Sequence, residues 1–301
     1  LRETVENGDY YRGEPIWVTA ETQGMVSASF FWVGSEADVM GVYATHWRSY
    51  DGDIAGNDRV DQVLEWLALP APERPHLYTM YFEDVDDYTH WYGTGSDESA
   101  ESISRVDGYI QRLMDGLGQL PHGDQVNVVV VSDHGQATYL DEQPFVIDEV
   151  TELDGITAVD GGCYVFLHFD EADPARAGDI RDVINKHWDH GNAWLPGDAP
   201  AQWRVTGDDR FPDVIVVADV EHGVLSTASM KYKAHSGDHG WPPEASAMHG
   251  LFVASGPAFK QGLKIGPVNN VDIYPLLLDV LDLSPPDRID GDPDALKGIL
   301  K

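Results

Sequence analysis

Positive charge and cysteine are what this chain has least of. Nineteen Lys and Arg stand against 52 Asp and Glu, a formal net charge of −33. A surface of that sign repels nucleic-acid phosphates and anionic membranes, so no nucleic-acid groove is expected. An Asp-rich, Lys-poor surface fits a marine or salt-loving source, where screening relieves the self-repulsion. Cys163 is the single cysteine, which excludes an intramolecular disulfide. Within Gly161-Gly162-Cys163-Tyr164-Val165-Phe166 it reads as a buried structural thiol rather than a nucleophile. No apolar run approaches the 18 residues of a membrane-spanning helix. No signal peptide is visible. Leu1 is not a natural start, so the chain reads as beginning inside a longer one. Internal repeats and low-complexity blocks are also missing. The 301 residues, 42% of them hydrophobic and nine of them Trp, exclude general disorder and allow one large domain or two smaller ones.

The most informative stretch is Val128-Val129-Val130-Val131-Ser132-Asp133-His134-Gly135. Four consecutive valines predict a strand buried on both faces. Ligands of parallel α/β sheets collect beyond the carboxyl ends of strands, which is where Asp133 and His134 stand. A carboxylate beside an imidazole suits a borderline divalent metal such as zinc. The alternative reading is a polar strand exit with Asp133 capping a turn and His134 solvated.

Upstream, Ser27–Trp32 reads as a strand and Arg59–Leu67 as a helix, with Val60, Val63, Leu64 and Leu67 on one face. Residues 1–25 and 37–57 read as irregular. His76–Phe82 is the next strand, and 97–118 a helix with Ile103, Val106, Ile110, Leu113 and Leu117 at steps of three and four. Strand, helix and valine strand make a right-handed parallel βαβ unit. The exit of its first strand carries Asp86 and His90, four residues apart, able to share one metal from a helical turn or a compact loop. The bland reading is an acidic helix start. Two acidic-His clusters at two strand exits are more informative than either alone.

From residue 154 to 235 the texture changes to a smaller α+β insertion: a strand at Gly162–Phe169, a helix at Pro174–Trp188, loop over 190–210 and a buried strand at Asp213–Ala218. His187 and His190 read there as surface histidines. The turn-rich run from His235 through Asp238-His239-Gly240 follows, a loop able to deliver His239 to a metal. A strand at 251–255 and a helix at 271–281 close the fold.

Several of these motifs resemble the nucleotide pyrophosphatase/phosphodiesterase family of the alkaline phosphatase superfamily. They are Gly13-Glu14-Pro15-Ile16-Trp17-Val18-Thr19-Ala20-Glu21, and Phe30-Phe31-Trp32-Val33-Gly34-Ser35-Glu36 with Val33 for the usual Pro. Next come Asp86-Asp87-Tyr88-Thr89-His90 with Thr89 for the usual Gly, Ser132-Asp133-His134-Gly135, His239-Gly240, and Gly250 to Phe259 followed by Asn270-Val271-Asp272-Ile273-Tyr274. The resemblance implies an α/β fold with a central, mostly parallel sheet flanked by helices. Residues 1–153 and 236–301 would form the catalytic core and 154–235 an insertion. It implies a hydrolase with two zinc ions: Asp86, His90 and His239 hold one, and Asp133 and His134 hold the other with an Asp from an upstream strand. The family's Thr nucleophile also belongs to a segment upstream of Leu1, either removed or on a separate chain. Tyr50 and Tyr81 match positions that line the nucleoside pocket, with a core strand residue the alternative for Tyr81, and Trp32 lies in the same region, so the expected partner is a nucleotide or other small phosphodiester. An extracytoplasmic location follows by the same resemblance. The alternatives are another hydrolase of the superfamily, acting on phosphonates, phosphomonoesters or lipid diesters, and a noncatalytic metal-binding relative.

Overall fold

A computed structural model describes residues 5–140, 143–205, 210–227 and 236–301. His235, at the head of the loop expected to carry His239, lies outside the described residues. In chain order the main elements are α1 (Ile16–Thr22), β1 (Ser27–Phe30), β2 (His46–Arg48), α2 (Gly56–Leu67), β3 (Leu77–Met80), α3 (Asp84–Tyr92), α4 (Asp97–Leu117) and β4 (Val128–Val131). They continue with β5 (Ile156–Asp160), β6 (Tyr164–Phe169), α5 (Pro174–His187), β7 (Gly191–Trp194), β8 (Val214–Ala218), β9 (Phe252–Ser255) and α6 (Ile273–Leu281). No described helix is long and apolar enough to cross a membrane.

The chain divides into two compact units. One comprises residues 1–83, 104–130 and 252–301. Its parallel sheet runs β2-β1-β3, with Ala28 opposite His46 on one side and Tyr78 on the other. All four residues of β1 are buried. Ala28, Phe30 and Phe31 pack with Val63, Trp66 and Leu67 of α2 and with Leu117 of α4. A second cluster joins Trp17, Val18 and Ala20 of α1 to Val39, Leu77 and Leu278. Truncating a buried Trp such as Trp17 or Trp66 to Ala costs about 3–5 kcal/mol. The α1 helix stands where irregular chain was expected. It is short, it starts directly after Pro15, and Ile16 to Ala20 are all buried, so it has no polar face to set a helical period.

The valine strand β4 is a second departure. It was expected to be buried on both faces, yet each of its four valines is only half-buried. Among the described residues it pairs with β9 alone. The face of α4 is similarly open: Leu117 is buried, but Ile103 is 56% exposed.

The other unit comprises residues 84–103 and 131–251. An antiparallel sheet runs β5-β6-β8-β7, packed on α5 around Cys163, Val165, Leu167, Ile180, Ile184, Val214 and Val216. The strand β7 falls within expected loop. Its Gly191-Asn192-Ala193-Trp194 carries residues that strands disfavour, yet it pairs along β8 from Ile215 to Ala218. A short antiparallel pair, Ala137–Thr138 with Gly237–Asp238, fixes the segment that ends in His239.

Candidate metal centre

Asp86 and His90 lie one turn apart on α3, whose first turn holds Asp84, Asp86 and Asp87 at the positive end of the helix dipole. The four-residue spacing places both side chains on one face. His90 Nε2 is 3.4 Å from Asp86 Oδ1. The other ring nitrogen, Nδ1, stands 2.9 Å from the Gly237 carbonyl; donating its proton there, it leaves Nε2 as the unprotonated nitrogen, the form that binds a cation. Gly237 is a close-approach glycine, since a Cβ there would meet the Thr89 carbonyl oxygen at 2.5 Å. Thr89, the departure from the family's Gly, is buried in the helix, a conformation that needs no glycine.

Two residues after Gly237, His239 brings its Nε2 to 3.7 Å from the same Asp86 Oδ1. Asp86, His90 and His239 each offer one donor atom, all within 4.8 Å of one another. Tetrahedral zinc with bonds of ~2.0–2.2 Å separates neighbouring donors by about 3.4 Å, so the set fits a zinc ion with little adjustment. His134 brings a third imidazole nitrogen close to this set. Its Nε2 is 4.0 Å from Asp86 Oδ1, and its ring stacks on that of His239 with centroids 3.5 Å apart. Asp133 Oδ2 is 3.5 Å from His134 Nε2, on a carboxylate whose side chain is 67% exposed. The strand exit beneath this pair is fixed locally: Ser132 exchanges two hydrogen bonds with Leu251, and a Cβ on Gly135 would collide with the Ala247 carbonyl. Of the Asp133-His134 pair, His134 faces the Asp86 and His239 side chains, while Asp133 is largely exposed. His187 and His190 are not part of the cluster: His187 bonds the Val183 carbonyl and His190 stacks on His222.

Supporting residues that the sequence did not single out complete the site. Gln136 donates to Asp86 Oδ1 at 2.6 Å. Asp238 Oδ1 lies 3.8 Å from His90 Nδ1, and its Oδ2 accepts from the Tyr139 hydroxyl at 2.6 Å. The Cys163 thiol donates to the His239 carbonyl at 2.9 Å. Burial, reinforced by the Asp238 charge, pushes that thiol far above its usual range, so it stays a protonated donor, as its structural reading requires. Adjacency to His239 and to Gly135 was the only signal for Asp238 and Gln136; for Cys163 there was none. Burial, and then charge on His134, hold His239 below the ordinary histidine value, against the opposing effect of Asp86. A neutral imidazole is the form that binds metal.

The expected aromatic positions belong to the parallel-sheet unit. Tyr50 is exposed, with its ring against the buried Phe31 at 5.3 Å and 64°. The Tyr81 N–H donates to the Phe30 carbonyl, which prolongs the β1–β3 pairing, and its side chain packs on the cluster containing Phe30 and Phe31. Trp32 packs instead on the α1 cluster.

A family model described as type I phosphodiesterase/nucleotide pyrophosphatase matches residues 2–242. The chain belongs to this family. Human ectonucleotide pyrophosphatase/phosphodiesterase family member 1 is 32% identical, over 98% of this chain and 32% of that protein. A venom phosphodiesterase of Naja atra is 30% identical, over 99% of this chain and 36% of its own length. The chain thus spans about a third of the length of these curated relatives. Among solved structures, murine ectonucleotide pyrophosphatase/phosphodiesterase 5 superposes with a TM-score of 0.87 at 25% identity, over 95% of this chain and 75% of that one. The alkaline-phosphatase-like fold, with its parallel sheet and additional antiparallel sheets, is thereby established for this phosphodiesterase-family chain.

Proposed function

We propose that this chain is the metal-holding part of a hydrolase that cleaves phosphodiester or pyrophosphate bonds in nucleotides. The observation that carries the reading is the convergence of Asp86 Oδ1, His90 Nε2 and His239 Nε2 in a phosphodiesterase-family chain. Those three residues would hold one zinc. Asp133 and His134 would hold a second, completed by an Asp outside these 301 residues. Bound zinc ions would supply concentrated positive charge at the phosphorus and its departing oxygen. Gln136, Asp238 and the Gly237 carbonyl keep the donors oriented before substrate arrives. A chain of net charge −33 otherwise repels a nucleotide, so attraction must be local to the site.

The nucleophile we propose is a Thr supplied by polypeptide beyond this chain: its oxygen would bond to phosphorus as the leaving oxygen departs with a proton, and water would then cleave the phospho-threonine, releasing the phosphate product and restoring the hydroxyl. An inactive threonine-to-alanine form of murine family member 5 has been solved in complex with AMP, which supports both a threonine nucleophile and a nucleotide substrate. Tyr50 and Tyr81, with Trp32 nearby in sequence, would receive the nucleoside; stacking tolerates different bases. The relatives named as ecto- or venom enzymes support an extracytoplasmic location.

The test is hydrolysis of a chromogenic phosphodiester and the matching monoester by a protein carrying this chain together with the Asp- and Thr-bearing segment. Diester cleavage abolished by a chelator is expected. Preference for the monoester would move the protein to another branch of the superfamily, and cleavage of neither would make it a noncatalytic relative.

A further inference from the structure

Arg59 of α2 is fully buried, with 2% of its surface exposed. A guanidinium cannot shed its charge, so it must be matched by partners in the interior. The partners come from separate segments. Nε donates to the Ile54 carbonyl at 2.9 Å, and Nη1 to the Tyr81 carbonyl at 3.0 Å. Nη1 and Nη2 together grip the Glu83 carboxylate at 2.5 and 2.6 Å, a two-bond fork. The plane of the group lies over the Phe31 ring, 5.0 Å from its centroid.

Phe31 is unusual in its own right. Its φ is +64°, the left-handed region that a side chain with a Cβ seldom adopts. Strain of this kind persists only where the surroundings fix it, and it gathers at binding sites. Here the surroundings are Phe30 at 4.4 Å, the Arg59 cation, and Tyr50, whose exposed ring meets Phe31 edge to face. Arg59 therefore touches the backbone of one candidate base-contacting tyrosine and, through Phe31, the ring of the other.

We infer that Arg59 is a positioning residue for base recognition: by fixing Phe31 in its left-handed turn and Tyr81 at its carbonyl, it sets the aromatic surface presented by Tyr50 and Tyr81. The inference rests on the reading of those tyrosines as the nucleoside face. It predicts that Arg59 governs discrimination between ligands with and without a base, not affinity for the phosphate.

Calorimetric titration of the 301-residue protein with AMP and with ribose 5-phosphate, in strong salt with zinc present, tests this. In the wild type, AMP is expected to bind about tenfold more tightly than ribose 5-phosphate, the scale of one stacked base. In Arg59→Gln that ratio should collapse to about twofold or less while ribose 5-phosphate is unaffected, because only the base contact is lost. Arg59→Lys, which keeps the cation over Phe31 but loses the fork, should recover part of the ratio. Phe31→Leu, which leaves the ion pair intact, should also lose it, and this arm reads the same contact if Arg59→Gln fails to fold. Tyr50→Leu added to Phe31→Leu should cost nothing further. A wild type without base preference would remove the nucleoside face itself, and the inference with it. A wild type with preference, retained in folded Arg59→Gln or in Phe31→Leu, would overturn the inference alone.

Discussion

The two sides of the candidate metal site are built differently. Asp86 and His90 come from one turn of α3, and His239 from a paired segment laid against that helix by Gly237. Each of these ligands has a backing partner: Gln136 for Asp86, the Gly237 carbonyl for His90, and Cys163 through the His239 carbonyl. Asp133 and His134 are neighbours at a strand exit. They share one direction of approach, and Asp133 projects into solvent. A helical turn plus a crossing strand, backed by Gln136 and Cys163, preorganises its donors, whereas two adjacent residues supply only part of a coordination shell.

Removing His239 should have the largest effect. His239→Ala should weaken zinc binding by more than about 100-fold, exceeding the usual effect of a supporting residue. Asp238→Asn or Gln136→Ala, which leave all donors in place but loosen them, should weaken it about tenfold. Asp133→Ala should change the tight zinc by no more than about threefold, since an exposed carboxylate outside the closed donor set contributes little. Competition with a chromophoric chelator measures all of these on one scale. An Asp133→Ala loss as large as that of His239→Ala would erase the proposed difference between the sides.

A smaller effect concerns pH. Metal binding displaces protons from imidazole, so zinc affinity should fall as pH drops below about 6.5. His239 is already held below the ordinary value by burial and by His134. It therefore competes less with protons, and the fall should be shallower than for two unperturbed histidines. The same shift acts on the metal-free chain. Between the folded and unfolded values of His239 the unfolded state binds more protons, so this residue's contribution is present above the ordinary histidine value and lost as pH falls through the depressed one. Thermal melts of wild type and His239→Asn at pH 7.5 and pH 5 check the sign: the wild type should lose more on acidification.

Much of the candidate site was legible because its residues sit in short motifs at strand exits, where a parallel sheet delivers functional groups. Asp86 and His90 stood out by their spacing, which an acidic helix start explains equally well. Burial was less so, as two valine-rich strands show. Val214-Ile215-Val216-Val217 and Val128 to Val131 have the same texture. The first is buried throughout because β8 pairs on both sides, with β6 and β7. The second is half-exposed, with only β9 as a described partner. Hydrophobicity states what a strand can bury; its neighbours decide what it does bury. Arg59 was illegible for the opposite reason. A helical Arg ordinarily faces solvent, and its burial here depends on tertiary partners, Glu83 with the Ile54 and Tyr81 carbonyls.

The most direct test is the zinc content of the 301-residue protein, measured by equilibrium dialysis followed by elemental analysis at neutral pH and in strong salt. One tightly held zinc per chain is expected, abolished in His90→Ala, with little or no diester turnover. Two tight zinc ions in this chain, or one that survives the loss of His90, would contradict this expectation.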